Sequence, residues 1–211
     1  VTPSVARELV RTGHLVRSLR LAPFATSAVA VAGYLAARLG DTHDAIGDLR
    51  VLGLLLALGS GYALDDSAAI TLQASPYGLA RRLWLRIAGA AAVVVPVWAA
   101  VLAVYLPSAP AGDRCSLGLG LTTELAAAAT VLWAVAAWAR QQGFDQPGII
   151  TTPVLLAALL LAASIPQAPM LVGSGPEWTP AHLRWSAIVV AATCALVAAM
   201  RDPAARWATP G

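Results

Sequence analysis

Lysine is missing from this chain. All 14 basic residues are arginine. Charge of either sign is scarce: 12% of the 211 residues are charged, against roughly 25% in an ordinary soluble domain. Each shortage excludes something. Without lysine there is no G-x-x-x-x-G-K-[ST] loop to cradle nucleotide phosphates. Basic residues interleaved with aromatics, as a nucleic-acid platform needs, are also missing, so no nucleic acid is expected as a partner. The two cysteines, Cys115 and Cys194, fall in a loop and in an apolar segment, and no disulfide or metal pair is expected of them. His14, His43 and His182 lie in separate polar segments. With no H-E-x-x-H and no paired carboxylates in the apolar blocks, no catalytic, metal or cofactor site is implied, and an enzymatic reading finds no support.

What is plentiful is apolar sequence in long blocks. Hydrophobic residues make up 58% of the chain and its mean hydropathy is +0.71. A helix needs about 20 mostly apolar residues to cross a hydrocarbon core roughly 30 Å thick. Six blocks reach or approach that length: 21–37, 51–64, 87–106, 119–139, 149–165 and 184–200. The expected fold is all-α, a multi-pass membrane protein with six transmembrane helices. Residues 21–200 form a single transmembrane domain, with residues 1–20 before it and a short tail, 201–211, after it. No cleavable signal peptide is visible, so the first span is expected to be retained.

Arginine placement orients this arrangement. With the N-terminus inside, ten arginines (Arg7, Arg11, Arg17, Arg20, Arg81, Arg82, Arg86, Arg140, Arg201, Arg206) face the cytoplasm and four (Arg38, Arg50, Arg114, Arg184) face out. The positive-inside rule thus puts both termini in the cytoplasm of a plasma-membrane protein. Residues 3 to 20 read as an amphipathic helix on the inner surface, with Leu9, Leu15, Val16 and Leu19 toward lipid. Ala28, Ala32 and Ala36 make a small-residue stripe for helix packing, within the chain or against a second subunit, and Gly59-Ser60-Gly61 invites close approach. Pro96 predicts a kink. Trp84, Trp138 and Trp207 at the inner interface, with Trp178 and Trp185 at the outer one, read as an aromatic belt. The outer loop from Pro166 to Arg184 is expected to be irregular, its Met170–Val172 stretch dipping toward lipid.

Glu124 is the one ionisable residue inside a block. A charge at bilayer depth costs from about 2.5 kcal/mol upward. Two readings stand for it: a carboxylate near the interface, solvated or paired with Arg114, or a contact on a substrate or proton path.

The polar stretch 65–86 between the second and third blocks carries two helix-start signals. Asp66 or Ser67 can cap a short helix over 67–74, and Ser75 before Pro76 opens another. Arg81, Arg82 and Arg86 then read as basic anchors snorkelling to headgroups. This arrangement, with Asp65, Asp66, Thr71, Leu72, Ser75, Pro76, Arg81, Arg82 and Arg86 in order, resembles the permease subunits of ATP-binding-cassette (ABC) exporters of the second permease class, and Tyr77 counts with Asp65 to Arg82 among the coupling residues it implies. It is most similar to their short, alanine-rich actinobacterial members. The resemblance implies a coupling loop at 65–86 gripped by a separate ATP-hydrolysing subunit, and a second permease half, identical or different, completing the pore. It implies export of a small lipophilic compound or peptide, with no cofactor on this chain. A non-transporting membrane scaffold in a larger complex is the alternative. An ion- or proton-coupled carrier would need more polar groups at the midplane, and usually repeat symmetry.

Overall fold

The computed structural model describes residues 21–38, 45–65, 79–163, 171–173 and 175–201. Among these residues every regular element is helical: α1 (Leu21–Arg38), α2 (Ala45–Gly61), α3 (Leu79–Tyr105), α4 (Arg114–Gln141), α5 (Pro147–Ala163) and α6 (Trp178–Ala199). Short 3-10 turns, Tyr62–Leu64 and Leu106–Ser108, close α2 and α3. Each apolar block therefore carries one helix, the form in which a chain in lipid satisfies its own backbone groups. Among the described residues, four stretches are long and apolar enough to cross a membrane: Ile46–Leu64, Ala80–Ser108, Arg114–Gln141 and Trp178–Ala199. By length and composition this is a membrane protein. The apolar stretches Thr26–Ala37 and Pro147–Leu159 are shorter. The expected surface helix before residue 21, the short helix over 67–74, and the tail beyond Arg201 lie outside the described residues.

Side-chain contacts fix how the helices run. Arg50 meets Glu124 near the starts of α2 and α4, and Ser60 meets Trp133 nearer their ends. His182 meets Glu124, and Gln141 meets the end of α6. Thus α2, α4 and α6 run in one direction. Tyr34 near the end of α1 bonds Asp48 near the start of α2, while Arg86 on α3 and Gly148 on α5 both bond Asp65 just beyond α2. So α1, α3 and α5 run the opposite way. The bundle has a Glu124 end and an Asp65 end, and both the start of α1 and the end of α6 lie at the latter.

At the centre stands α4, packed most extensively on α6, then on α2 and α5. Alanine makes this possible: Ala127, Ala128, Ala129, Ala134, Ala136, Ala137 and Ala139 are all buried, so neighbouring backbones come close. One core cluster, with Leu52, Leu56, Trp98, Leu121 and Leu132, joins α1 to α4. A second, with Leu64, Leu83, Ile87, Leu196 and Met200, closes the Asp65 end. Trp98 donates its indole N–H to Thr122 Oγ1 at 3.0 Å, and Trp133 donates to the Ser60 carbonyl at 3.2 Å.

Several expectations are corrected. The second helix starts at Ala45 rather than 51, and the sixth at Trp178 rather than 184. Three polar residues that look like loop, Asp48, Arg50 and His182, enter these helices with partners in the bundle. Asp48 is buried and accepts from Tyr34 Oη at 2.7 Å. Within the chain the alanine stripe is not the packing face, since Ala32 and Ala36 are exposed, Gly33 has nothing within 4 Å and Val31 faces the core; packing against a second subunit stands as the stripe's other reading. Trp178 and Trp185 are buried against the bundle rather than belted around it, whereas Trp84 and Trp138 are exposed. Gly61 does make a close approach, to Thr152 and Leu132. Pro96, where a kink is expected, lies inside the third helix, Leu79–Tyr105.

Candidate functional site

Three residues from three helices converge on one another at the Glu124 end. Arg50 of α2 grips the Glu124 carboxylate of α4 in bidentate fashion, Nε to Oε2 at 2.8 Å and Nη2 to Oε1 at 2.8 Å. Nη2 also donates to the Val172 carbonyl at 2.7 Å, tying that residue of the segment before α6 to the bundle. From α6, His182 Nε2 lies 3.1 Å from Glu124 Oε1, and His182 Nδ1 lies 2.7 Å from the Trp178 carbonyl. The Trp178 ring stacks on the imidazole with centroids 4.0 Å apart, and the Arg50 guanidinium sits 5.9 Å from the Trp178 ring. Arg50 and Glu124 side chains are 18% and 10% exposed. Charges so placed hold only when paired, and the fork-to-fork geometry is the strong form of pairing.

Local sequence explains the convergence. Gly120 sits one turn before Glu124, and a Cβ there would lie 2.5 Å from the Trp178 ring and 2.7 Å from His182 Nε2. Only glycine lets α6 bring these rings against α4. Trp178 and His182 are four residues apart, hence on one face of their helix.

Hydrogen-bond accounting shows what remains open. The Trp178 carbonyl can only accept, so Nδ1 of His182 carries a proton. Of the five guanidinium N–H groups of Arg50, three are engaged; the two on Nη1 have no partner among the described residues.

Arg50 and Glu124 form the polar end of a cavity of about 220 Å³. Its other walls are apolar, among them Leu54, Leu121, Leu125, Leu159 and Trp185. A second cavity of about 200 Å³ shares Ala128, Leu159, Leu171 and Trp185 with the first and continues between α4, α5 and α6. An apolar space with a few convergent polar groups is the usual form of a small-molecule site. Among the described residues no group of three or more His, Cys, Asp or Glu side chains could hold a metal ion.

At the opposite end Asp65 is fully buried. Its Oδ1 accepts from Gly148 N at 2.7 Å, and its carbonyl accepts from Arg86 Nη1. The carboxylate thus caps α5 from another element: Pro147, in the first turn, has no N–H, and Gly148 supplies a donor toward which the helix dipole draws negative charge. A Cβ on Gly148 would fall 2.9 Å from Tyr62 Cα, so this junction also requires glycine.

The residues singled out from sequence therefore separate. Glu124 lies in a built site, but its partners are Arg50 and His182. Arg114 instead donates to the Ala109 and Pro107 carbonyls, closing the end of α3. Asp65 is spent inside the chain, Arg81 is exposed and Arg82 half-buried on the first turn of α3, and Arg86 is buried on Asp65 rather than snorkelling. Asp66, Thr71, Leu72, Ser75, Pro76 and Tyr77 lie outside the described residues. Arg50, Trp178 and His182 were not legible as site residues; the signal that could have found them is the cost of Glu124 at depth, which demands a cation. Comparison with known proteins gives no matching family model, no matching curated protein and no matching solved structure.

Proposed function

We propose that the chain is the multi-pass permease subunit of an ATP-driven ABC exporter in the plasma membrane, one half of a homo- or heterodimer. The observation that carries this reading is the anchoring of the segment 66–78. Just before it, Asp65 is tied to α5 through its side chain and to α3 through its carbonyl. Just after it, α3 begins at Leu79 and holds Arg86 against Asp65. A force applied to 66–78 is thereby delivered to α2, α3 and α5 together, which is what a mechanical joint to a motor needs. The proposed contacts are Thr71, Leu72, Ser75, Pro76 and Tyr77, flanked by Asp66, Arg81 and Arg82. ATP hydrolysis belongs to the separate ATPase subunit, with the joint and the chain's two ends on the cytoplasmic side. The apolar cavities suit a small lipophilic compound or peptide.

Co-expression with candidate ABC ATPase subunits and co-purification in nanodiscs tests this. The Leu72→Asp/Tyr77→Asp double substitution is expected to abolish ATPase association while leaving the chain folded. Retention of full association and export by that variant, or failure of any such ATPase to co-purify with the unaltered chain, sinks the reading in favour of a scaffold.

A further inference from the structure

The residual chemistry of the Arg50–Glu124–His182 cluster points to a particular class of ligand. After these internal bonds are counted, the two Nη1 N–H groups of Arg50 have no partner among the described residues. On the acceptor side, Glu124 accepts from Arg50 at both oxygens and meets His182 at Oε1. What the polar end offers is therefore a donor, in a wall otherwise apolar.

The shape of the space is equally selective. A dry apolar cavity of about 150 Å³ takes a benzene. The first cavity here, at about 220 Å³, and the second, at about 200 Å³, lie end to end along α4 and share Ala128 and Trp185. They suit a ring or single alkyl chain longer than one cavity alone, leading away from Arg50. We propose that the paired cavities bind a single-chain amphiphile with a carboxylate-type anionic head, seated on Arg50 Nη1, its apolar tail passing Ala128 toward Ile188. A cationic head would meet the N–H groups of Arg50 with no acceptor to offer them, and is rejected. This deepens the export reading and rests on it for transport, though binding needs only the chain itself.

Trp185 lines both cavities and reports occupancy. The probe is 10-bromodecanoate, whose bromine quenches indole fluorescence, titrated into the chain in phosphatidylcholine nanodiscs without any ATPase; 10-bromodecyltrimethylammonium is the matched cation. Saturable quenching by the carboxylate is expected, lost in Trp185→Phe, with only the linear quenching of lipid partition from the ammonium probe. Arg50→Gln should weaken the carboxylate at least tenfold. Because that substitution also removes an ion pair, Ala128→Leu is the second arm: it fills the shared wall, leaves the cluster intact and should abolish saturation. Equal quenching by the two probes, or a wild-type curve from Ala128→Leu, overturns the proposal. Carboxylate binding with no ATPase association would sink the export reading and keep this site; the reverse result would sink the site alone.

Discussion

Glu124 shows how one residue can organise one end of a helix bundle. An isolated carboxylate there would be intolerable, yet with Arg50 and His182 it ties α2, α4 and α6 together. The pair is far more expensive to break than to do without, because a lone buried charge keeps its desolvation cost and loses its partner. Glu124→Ala should therefore destabilise the chain by about 3–5 kcal/mol, read by unfolding in mixed detergent micelles. Asp113→Ala, at an exposed position just before α4, should stay within about 0.5 kcal/mol. Adding Arg50→Ala to Glu124→Ala should recover part of the loss, with an interaction energy of roughly 0.5–3 kcal/mol. Strict additivity of the two would show that the bidentate geometry contributes nothing.

Among the elements, the informative junctions are those where two helices approach without room for a side chain. At Gly148, α5 meets the turn after α2 at backbone distance, and the Asp65 carboxylate closes the helix start. Asp65→Ala leaves a buried N–H without its acceptor, a loss of roughly 1–3 kcal/mol, whereas Asp65→Asn keeps an acceptor oxygen and should restore most of it. Gly33 has nothing within 4 Å, so Gly33→Ala should be neutral or stabilise by about 0.5–1 kcal/mol, while Gly148→Ala and Gly120→Ala should lower the thermal midpoint. Comparable midpoints for all three glycine variants would refute the close approaches. These junctions also mark the limit of what sequence discloses. The six apolar blocks were legible because length and apolarity are local properties. The start of α2 was not: Asp48 and Arg50 resemble loop residues until Tyr34 and Glu124 supply their partners, and Glu124 is 74 positions from Arg50. Likewise Trp178 and Trp185 read as interface residues by spacing alone, since only the missing side chain of Gly120 admits Trp178 to the core. Ala32 and Ala36 have the right spacing for packing but are exposed within this chain, which leaves only the second-subunit reading of the stripe.

For the whole molecule, the pattern of exposed apolar side chains decides the solvent. Val29 on α1, Val95 on α3, Val154 on α5 and Val190 on α6 are each more than half exposed. In water so much apolar surface on so many sides would drive association; against lipid tails it costs nothing. The distinction is measurable because it reverses the usual rule for surface substitutions. An exposed Val→Arg change on a soluble bundle stays within about 0.5 kcal/mol. At the centre of a membrane-spanning helix an arginine costs about 2.5–3.5 kcal/mol on insertion scales. Val190 lies near the middle of α6, whose 22 residues at about 1.5 Å each make some 33 Å, matching a core roughly 30 Å thick. Thr179, exposed on the first turn of the same helix, lies about 16 Å away along the axis, where an arginine reaches headgroups or water. Val190→Arg should thus impair insertion and stability by the larger amount, and Thr179→Arg by far less, when membrane integration efficiency and detergent unfolding are compared. A flat response along α6, with both substitutions tolerated, would mean that this helix does not face lipid, and the membrane-spanning assignment of α6 would fall with it.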